Sequence, residues 1–180
     1  MRRVGLAAVI VAGLAFVAAG CGGKSEPAAV PTNEWANDVC GALVTWTTTM
    51  KSLATSLKSN PTKAGLQDAV NQAEDATKTL SSDLKGLGKP DTQAGQQAKD
   101  DISTLSDQLS ADVDKIQSSV NDASGVSGTL SAISVASATL VTMGQQVSTT
   151  FGDLQKLDAK GELESAFSSS SSCKQLTGSS

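Results

Sequence analysis

Apolar residues recur at alternating intervals of three and four from Trp35 onward, first as Trp35, Val39, Leu43, Trp46, Met50, Leu53 and Leu57. That interval keeps them on one side of a helix with 3.6 residues per turn. The rhythm returns as Leu66, Ala69, Ala73, Ala76, Leu80, Leu84 and Leu87, and again as Ala94, Ala98, Ile102, Leu105, Leu109, Val113, Ile116 and Val120. A fourth series runs through Leu130, Ile133, Leu140, Val147, Phe151 and Leu154. No strand-length alternation of apolar and polar residues competes with these series, so the pattern predicts four amphipathic helices.

The residues between the series are helix stops and starts. Asn60 can cap a helix that has Pro61 at its first position, and Gly86, Gly88 and Pro90 end that helix before Asp91 or Thr92 caps the next. Gly125 and Gly128 separate the third helix from the fourth. Connections this short make consecutive helices antiparallel neighbours, which predicts an all-α, antiparallel up-down four-helix bundle followed by a short C-terminal segment. Each helix would hold about 25 to 32 residues, roughly 40 to 45 Å at 1.5 Å per residue. A coiled-coil dimer built on the third series is the structural rival. The bundle is preferred because four stripes can bury one another within one chain.

Ahead of the helices, Arg2 and Arg3 precede an apolar stretch from Val4 to Ala19 that runs into Gly20 and Cys21. Its length suits the apolar region of a signal peptide and falls short of the ~20 apolar residues that span a bilayer. The segment resembles the lipobox of bacterial lipoproteins: Ala18, Ala19 and Gly20 fill the small-residue positions before the invariant cysteine, Cys21, with Ala18 where Leu is usual. The resemblance implies cleavage between Gly20 and Cys21 and a thioether-linked diacylglycerol on the Cys21 sulfur. It also implies a membrane address on the extracytoplasmic face, with a further acyl chain such as palmitate able to join the new amino group. Two or more acyl chains anchor stably where one does not, at ~0.8 kcal/mol per buried methylene. An uncleaved anchor and an ordinary secretory signal are the alternatives.

Residues 1–20 are thus read as signal peptide and residues 21–32 as lipidated cysteine plus tether, since Gly22 to Thr32 is rich in Gly, Pro and Ala and has no periodic pattern. A flexible chain of that length reaches roughly 18 Å, enough to hold a small domain just off the headgroups. Residues 33–180 form the helical domain.

Loss of the signal removes both arginines and leaves twelve lysines against eighteen acids, with no His and no Tyr. An acidic chain without Arg lacks the phosphate and base contacts that nucleic-acid binding depends on. Cys40 lies early in the first helix and Cys173 near the C-terminus. In an exported chain, two spare cysteines read as one disulfide, Cys40–Cys173. Four antiparallel helices return the chain to the end where the first began, which supports the pairing; free thiols or intermolecular bonds are the alternatives. Such a bond would staple the C-terminal segment to the first helix.

Catalytic chemistry has little to work with. There is no His to move protons near neutral pH and no spare thiol once lipid and disulfide are assigned. Asp100, Asp101, Asp107, Asp112 and Asp114 make the third helix acidic but match no EF-hand spacing, and they read as a solvated face rather than a cation site. Ser82-Asp83-Leu84-Lys85 and Ser171-Ser172-Cys173-Lys174 both fit Ser-x-x-Lys, at the frequency that abundant Ser and Lys produce by chance and without the companion motifs of penicillin-recognising enzymes. No enzyme activity, metal or cofactor is therefore expected. Trp35 and Trp46 share a helix face and read as core, with a paired-aromatic ligand clamp as the other possibility. Ser131, Ala132, Ser134, Ala136, Ser137, Ala138 and Gly144 make the fourth helix unusually small-sided; this permits close helix approach or leaves space for a ligand.

The sequence Trp35-Ala36-Asn37-Asp38-Val39-Cys40, with a second Cys near the end, is similar in layout to small helical actinobacterial envelope lipoproteins, a group mostly without assigned activity. These readings together lead to a membrane-anchored structural or protein-interaction module of the cell envelope. The alternative is a ligand-binding or sensory helical domain with a gap beside Gly144. The partners implied are the bilayer, through acylated Cys21, and an envelope protein or small ligand.

Overall fold

Residues 29–59 and 61–178 are described by the structure, a computed structural model, and they form six α-helices: α1 (Thr32–Ser59), α2 (Lys63–Gly86), α3 (Gly95–Asn121), α4 (Gly125–Lys156), α5 (Glu162–Ser169) and α6 (Ser171–Thr177). Among these residues there is no strand, only an isolated bridge in which Val30 N–H donates to Lys89 O and Asp91 N–H to Val30 O, each at 2.9 Å. The signal segment, Gly20, lipidated Cys21, most of the tether and Asn60 lie outside the described residues.

Local chemistry sets the helix ends, and in two places differently from expectation. The cap of α2 is Thr62, whose Oγ1 accepts from Gly65 N–H at 3.0 Å, so Pro61 precedes the cap instead of opening the helix. Neither Asp91 nor Thr92 caps α3. Its N-cap is Ala94, which has no side-chain bond, and the helix starts by close approach: a Cβ on Gly95 would lie 2.1 Å from Pro90 O, so only glycine fits. Gly125 opens α4 at φ +65 and Gly161 precedes α5 at φ +71, both in the left-handed region that favours glycine.

Consecutive helices pack side by side from α1 to α4. Trp46 Nε1 of α1 donates to Thr77 Oγ1 of α2, and Trp35 Nε1 to Gly88 O in the connection after α2, both at 3.0 Å. Between α2 and α3, Lys85 pairs with Asp107 and Gln117 donates to Glu74. Gln146 Nε2 donates to Asp112 Oδ2 across α3 and α4 at 2.9 Å. All seven apolar positions of the α1 series are buried, as are those of α3 except half-buried Ala94 and those of α2 except half-buried Ala76 and Leu87.

The fourth series behaves differently. Toward α3, α4 buries Thr129, Ala132, Ala136, Thr139 and Met143 before joining the expected Val147, Phe151 and Leu154. Leu130, expected in the core, is 59% exposed, and Ile133 and Leu140 are only half-buried. Small side chains predominate on the buried face of the first half of α4, while Leu130, Ile133, Leu140 and Val141 lie off that face.

The C-terminal segment is two short helices in place of a single tail. Asp158 carboxylate oxygens accept from Lys160 N–H and Glu162 N–H and fold the turn into α5. Leu163, Ala166 and Phe167 are buried, with the Phe167 ring edge-on to Trp35 at 6.0 Å and to Phe151 at 5.0 Å. Ser170 ends α5 and caps α6, its Oγ accepting from Cys173 N–H; Ser170 and Ser172 hydroxyls both donate to Asn37 Oδ1 at 3.1 Å. The Cys40–Cys173 disulfide joins α6 to α1 across 133 residues, as the two-cysteine reading expected. The polar Ser168–Ser172 run is thus a capped and anchored corner.

Candidate binding groove

Where α1 faces α4 the packing is slight, because α5 and α6 occupy the α1 flank at the Trp35 and Phe151 end. Beyond them the two long helices leave a groove of about 670 Å³. From α1 it is lined by Trp46, Thr47, Met50, Lys51, Ala54 and Leu57. From α4 the large apolar residues Leu130, Ile133, Leu140, Val141, Val147 and Phe151 face it, with Ser137, Gly144 and Ser148 between them, while Pro61 and Leu176 lie on its margins. The buried members Trp46, Met50, Leu57, Val147 and Phe151 form a floor, and Lys51, Leu130, Ser137, Val141, Gly144 and Ser148 are exposed along the rim.

The volume lies in the range of small-molecule pockets, and the lining is of the kind such sites use, apolar surface with a few polar groups. Among the described residues no Asp or Glu lines the groove, although the chain holds eighteen acids, and Lys51 is the one charged residue of the lining. From Gly125 to Gly152 no residue of α4 is charged. By length and composition α4 is apolar enough to cross a membrane, with a mean hydropathy of 1.5 over its best window. A count of consecutive apolar residues does not detect this, because Ser, Thr and Gly interrupt the run without adding charge. Only 28% of that window is buried. The remaining apolar surface faces the groove and solvent, Val126 at 80% and Val141 at 62% exposure included.

Trp46 also borders a second cleft of about 590 Å³ between α1 and α2, lined among others by Asp38, Thr49, Ala76 and Asp83. Its ring therefore stands between the two spaces, held by the bond to Thr77. Trp35 and Trp46 do not make a ligand clamp together: Trp35 is 1% exposed, bonded to Gly88 O and stacked edge-on with Phe167.

The acidic residues of α3 are dispersed into separate contacts. Asp107 pairs with Lys85, Asp112 accepts from Gln146 and Asp100 accepts from Gln96. Partial burial, reinforced by the like charges of Asp100 and Asp153, raises the Asp101 carboxyl above its ordinary range. On α2, the hydrogen bond and charge of Lys78 hold Glu74 below the usual carboxylate range. Among the described residues no group of three or more His, Cys, Asp or Glu is placed to hold a metal ion. Ser82 and Ser171, from the two Ser-x-x-Lys matches, are both exposed on helices, and Lys85 of the first is paired with Asp107.

No family model matches the chain, and no curated protein or solved structure matches it. Of the groove residues, sequence reasoning pointed to Gly144 and the small-sided α4, but assigned Leu130, Ile133 and Leu140 to the core. A signal was present: a charge-free helix with small residues on one face and large apolar ones on another has two apolar faces, and one neighbouring helix can cover only one of them.

Proposed function

We propose that α1 to α4 form an up-down four-helix arrangement whose α1–α4 seam is open, and that the domain binds an apolar ligand there. The protein carrying it is read as an extracytoplasmic lipoprotein, held to the cell membrane through acylated Cys21 and acting by binding, not by catalysis. The observation that carries this reading is the 670 Å³ groove walled by large apolar side chains of α4. A helix that merely completed a bundle would turn those side chains inward and its small ones outward. Here Leu130 and Val141 stay exposed and Ile133 and Leu140 half-exposed, which keeps apolar surface available at the expected cost of about 25 cal/mol for each Å² left in water.

The binding reading is tested by titrating residues 29–178, which share one core, with N-phenylnaphthylamine. Saturable binding at one site with quenching of Trp46 emission is expected, and a Trp46→Phe variant should lose the quenching. Unsaturable or absent binding refutes it. The anchor is tested separately with labelled palmitate: uptake by the full chain is expected and uptake by Cys21→Ala is not. A second reading, docking of an envelope protein, is favoured by Val126, which is 80% exposed and lies outside the groove lining. In vivo crosslinking from position 126 to a protein partner is the outcome that would support it.

A further inference from the structure

The large apolar side chains most open to water among the described residues are Val126 at 80%, Val141 at 62% and Leu130 at 59%, and all three belong to α4. They fall on one stripe. Val126, Leu130, Ile133, Ser137, Val141 and Gly144 follow one another at three- and four-residue steps, and all but Val126 also line the groove, so the exposed surface and the groove mouth face the same way. The opposite side of α4, with Thr129, Ala132, Ala136, Thr139 and Met143, is buried. Packed on that side, α4 is placed to lie along a bilayer and not to cross one, in spite of its hydropathy. Exposed carboxylates stand on the other long helices, Asp38 on α1, Asp83 on α2 and Asp107 on α3, and each would lose water if pressed against lipid. From Gly125 to Gly152 α4 carries no charge and brings no such cost. Lys51, on the α1 side of the mouth, brings little, since a lysine stem lets its charge stay at headgroup level.

We infer that this stripe of α4 is a membrane-contact surface: it rests in the bilayer interface with the groove mouth against lipid, and an apolar ligand passes between hydrocarbon and groove floor without crossing water. The inference rests on the anchored, ligand-binding reading and adds the surface through which the ligand arrives. Reach and area choose a bilayer over a protein as the occupant. Residues 20–28 separate the apolar run of residues 4–19 from Ala29, the first described residue, and nine residues drawn out at ~3.5 Å each span about 32 Å. A domain held that close meets the membrane at high effective concentration, so a small contact suffices. The patch is small. From Val126 to Val141 it is about 22 Å long, and two helices make it about 20 Å wide, so two copies in contact would bury about 900 Å², short of the ~1,000 Å² that a stable protein interface needs. A helix seated in a bilayer interface needs only its apolar side sunk by ~5–10 Å, which one stripe supplies.

The test uses the full chain in phosphatidylcholine vesicles, with a photoactivatable leucine analogue placed in turn at positions 126, 130 and 82. Flotation with the vesicles is measured first, and failure to float overturns the anchored reading and the inference with it. In chain that floats, lipid adducts are expected from positions 126 and 130 and not from position 82, which is exposed on α2. Val126→Asp and Val141→Asp together, read from the probe at position 130, should lower the adduct at least about tenfold, two exposed valines being lost from the contact, while flotation and Tm stay as in the wild type. An undiminished adduct in that double variant overturns the inference. Equal adducts from positions 126 and 82, or none from any position, mean that no face is preferred and overturn it while leaving the anchor and the groove standing. Lipid adducts from position 130 that saturate, with none from position 126, would put lipid inside the groove only and overturn the contact surface. An adduct between two chains overturns it as well, because a second copy would then be the occupant.

Discussion

Gly144 and Gly152 allow the groove to be tested without damaging the fold. Both sit inside α4, and a Cβ added at either would meet nothing within 4 Å. Glycine in a helix interior is about 0.8–1.0 kcal/mol less favourable than alanine, because it loses more backbone freedom on folding. Gly144→Ala and Gly152→Ala should therefore each stabilise the domain by about 1 kcal/mol, a rise of about 2–4 °C in Tm for a chain of this size. The two sites diverge when the side chain grows. Gly144 lines the groove and Gly152 does not, so Gly144→Leu should fill the space beside it and weaken binding of N-phenylnaphthylamine at least tenfold, about 1.4 kcal/mol. Thermal unfolding followed by circular dichroism, with dye titration on the same samples, gives both readouts. Wild-type dye affinity in a well-folded Gly144→Leu variant would refute the groove as the site. A fall in Tm for Gly144→Ala beside a rise for Gly152→Ala would refute the open space itself.

Reducing the Cys40–Cys173 bond releases a loop of 133 residues and should lower stability by up to about 5 kcal/mol on the chain-entropy account, read as a shift in urea midpoint with and without reductant; an unchanged midpoint would contradict it. Trp46→Phe removes the buried bond to Thr77 and should cost about 1–2 kcal/mol. Thr77→Val should cost less in that background than in the wild type, and strict additivity would show that the bond carries no coupling. Asp101 has a folded pKa above its ordinary value of 3.8, so the fold binds its proton more tightly than the unfolded chain does, and stability falls as pH rises from that value through the folded pKa. Asp101→Asn should accordingly raise Tm at neutral pH, with the gain fading below the ordinary value; a gain that persists in acid would point to a cause other than charge.

The first three helices were legible because each carries one apolar stripe, and that stripe is the side that is buried. In α1, Trp35 through Leu57 are all buried where the three-and-four spacing puts them. The disulfide was read from one cysteine early in α1 and one near the C-terminus, with free thiols and intermolecular bonds as alternatives, and the structure joins the two. Caps were read less well. Thr62 took the place assigned to Asn60 and Pro61, and Gly95 began α3 through contact with Pro90 O instead of through an Asp91 or Thr92 cap. A capping side chain can be seen in sequence, whereas a glycine chosen for close backbone approach looks like any other glycine until its neighbour is known.

The sequence by itself determined that helices would form and where most of them break, because periodicity and glycine placement act over short stretches; it favoured the Cys40–Cys173 pairing, which the tertiary structure decided. It could not decide which apolar face of α4 would be covered. Thr129, Ala132, Ala136, Thr139 and Met143 went against α3, while Leu130, Ile133, Leu140 and Val141 were left along the groove. Hydrophobicity is non-directional, so a helix apolar on two sides carries no instruction about which side to bury. Tertiary packing made the choice: α5 and α6, stapled by Cys173 and wedged by Phe167, occupied the flank of α1 that α4 would otherwise have closed.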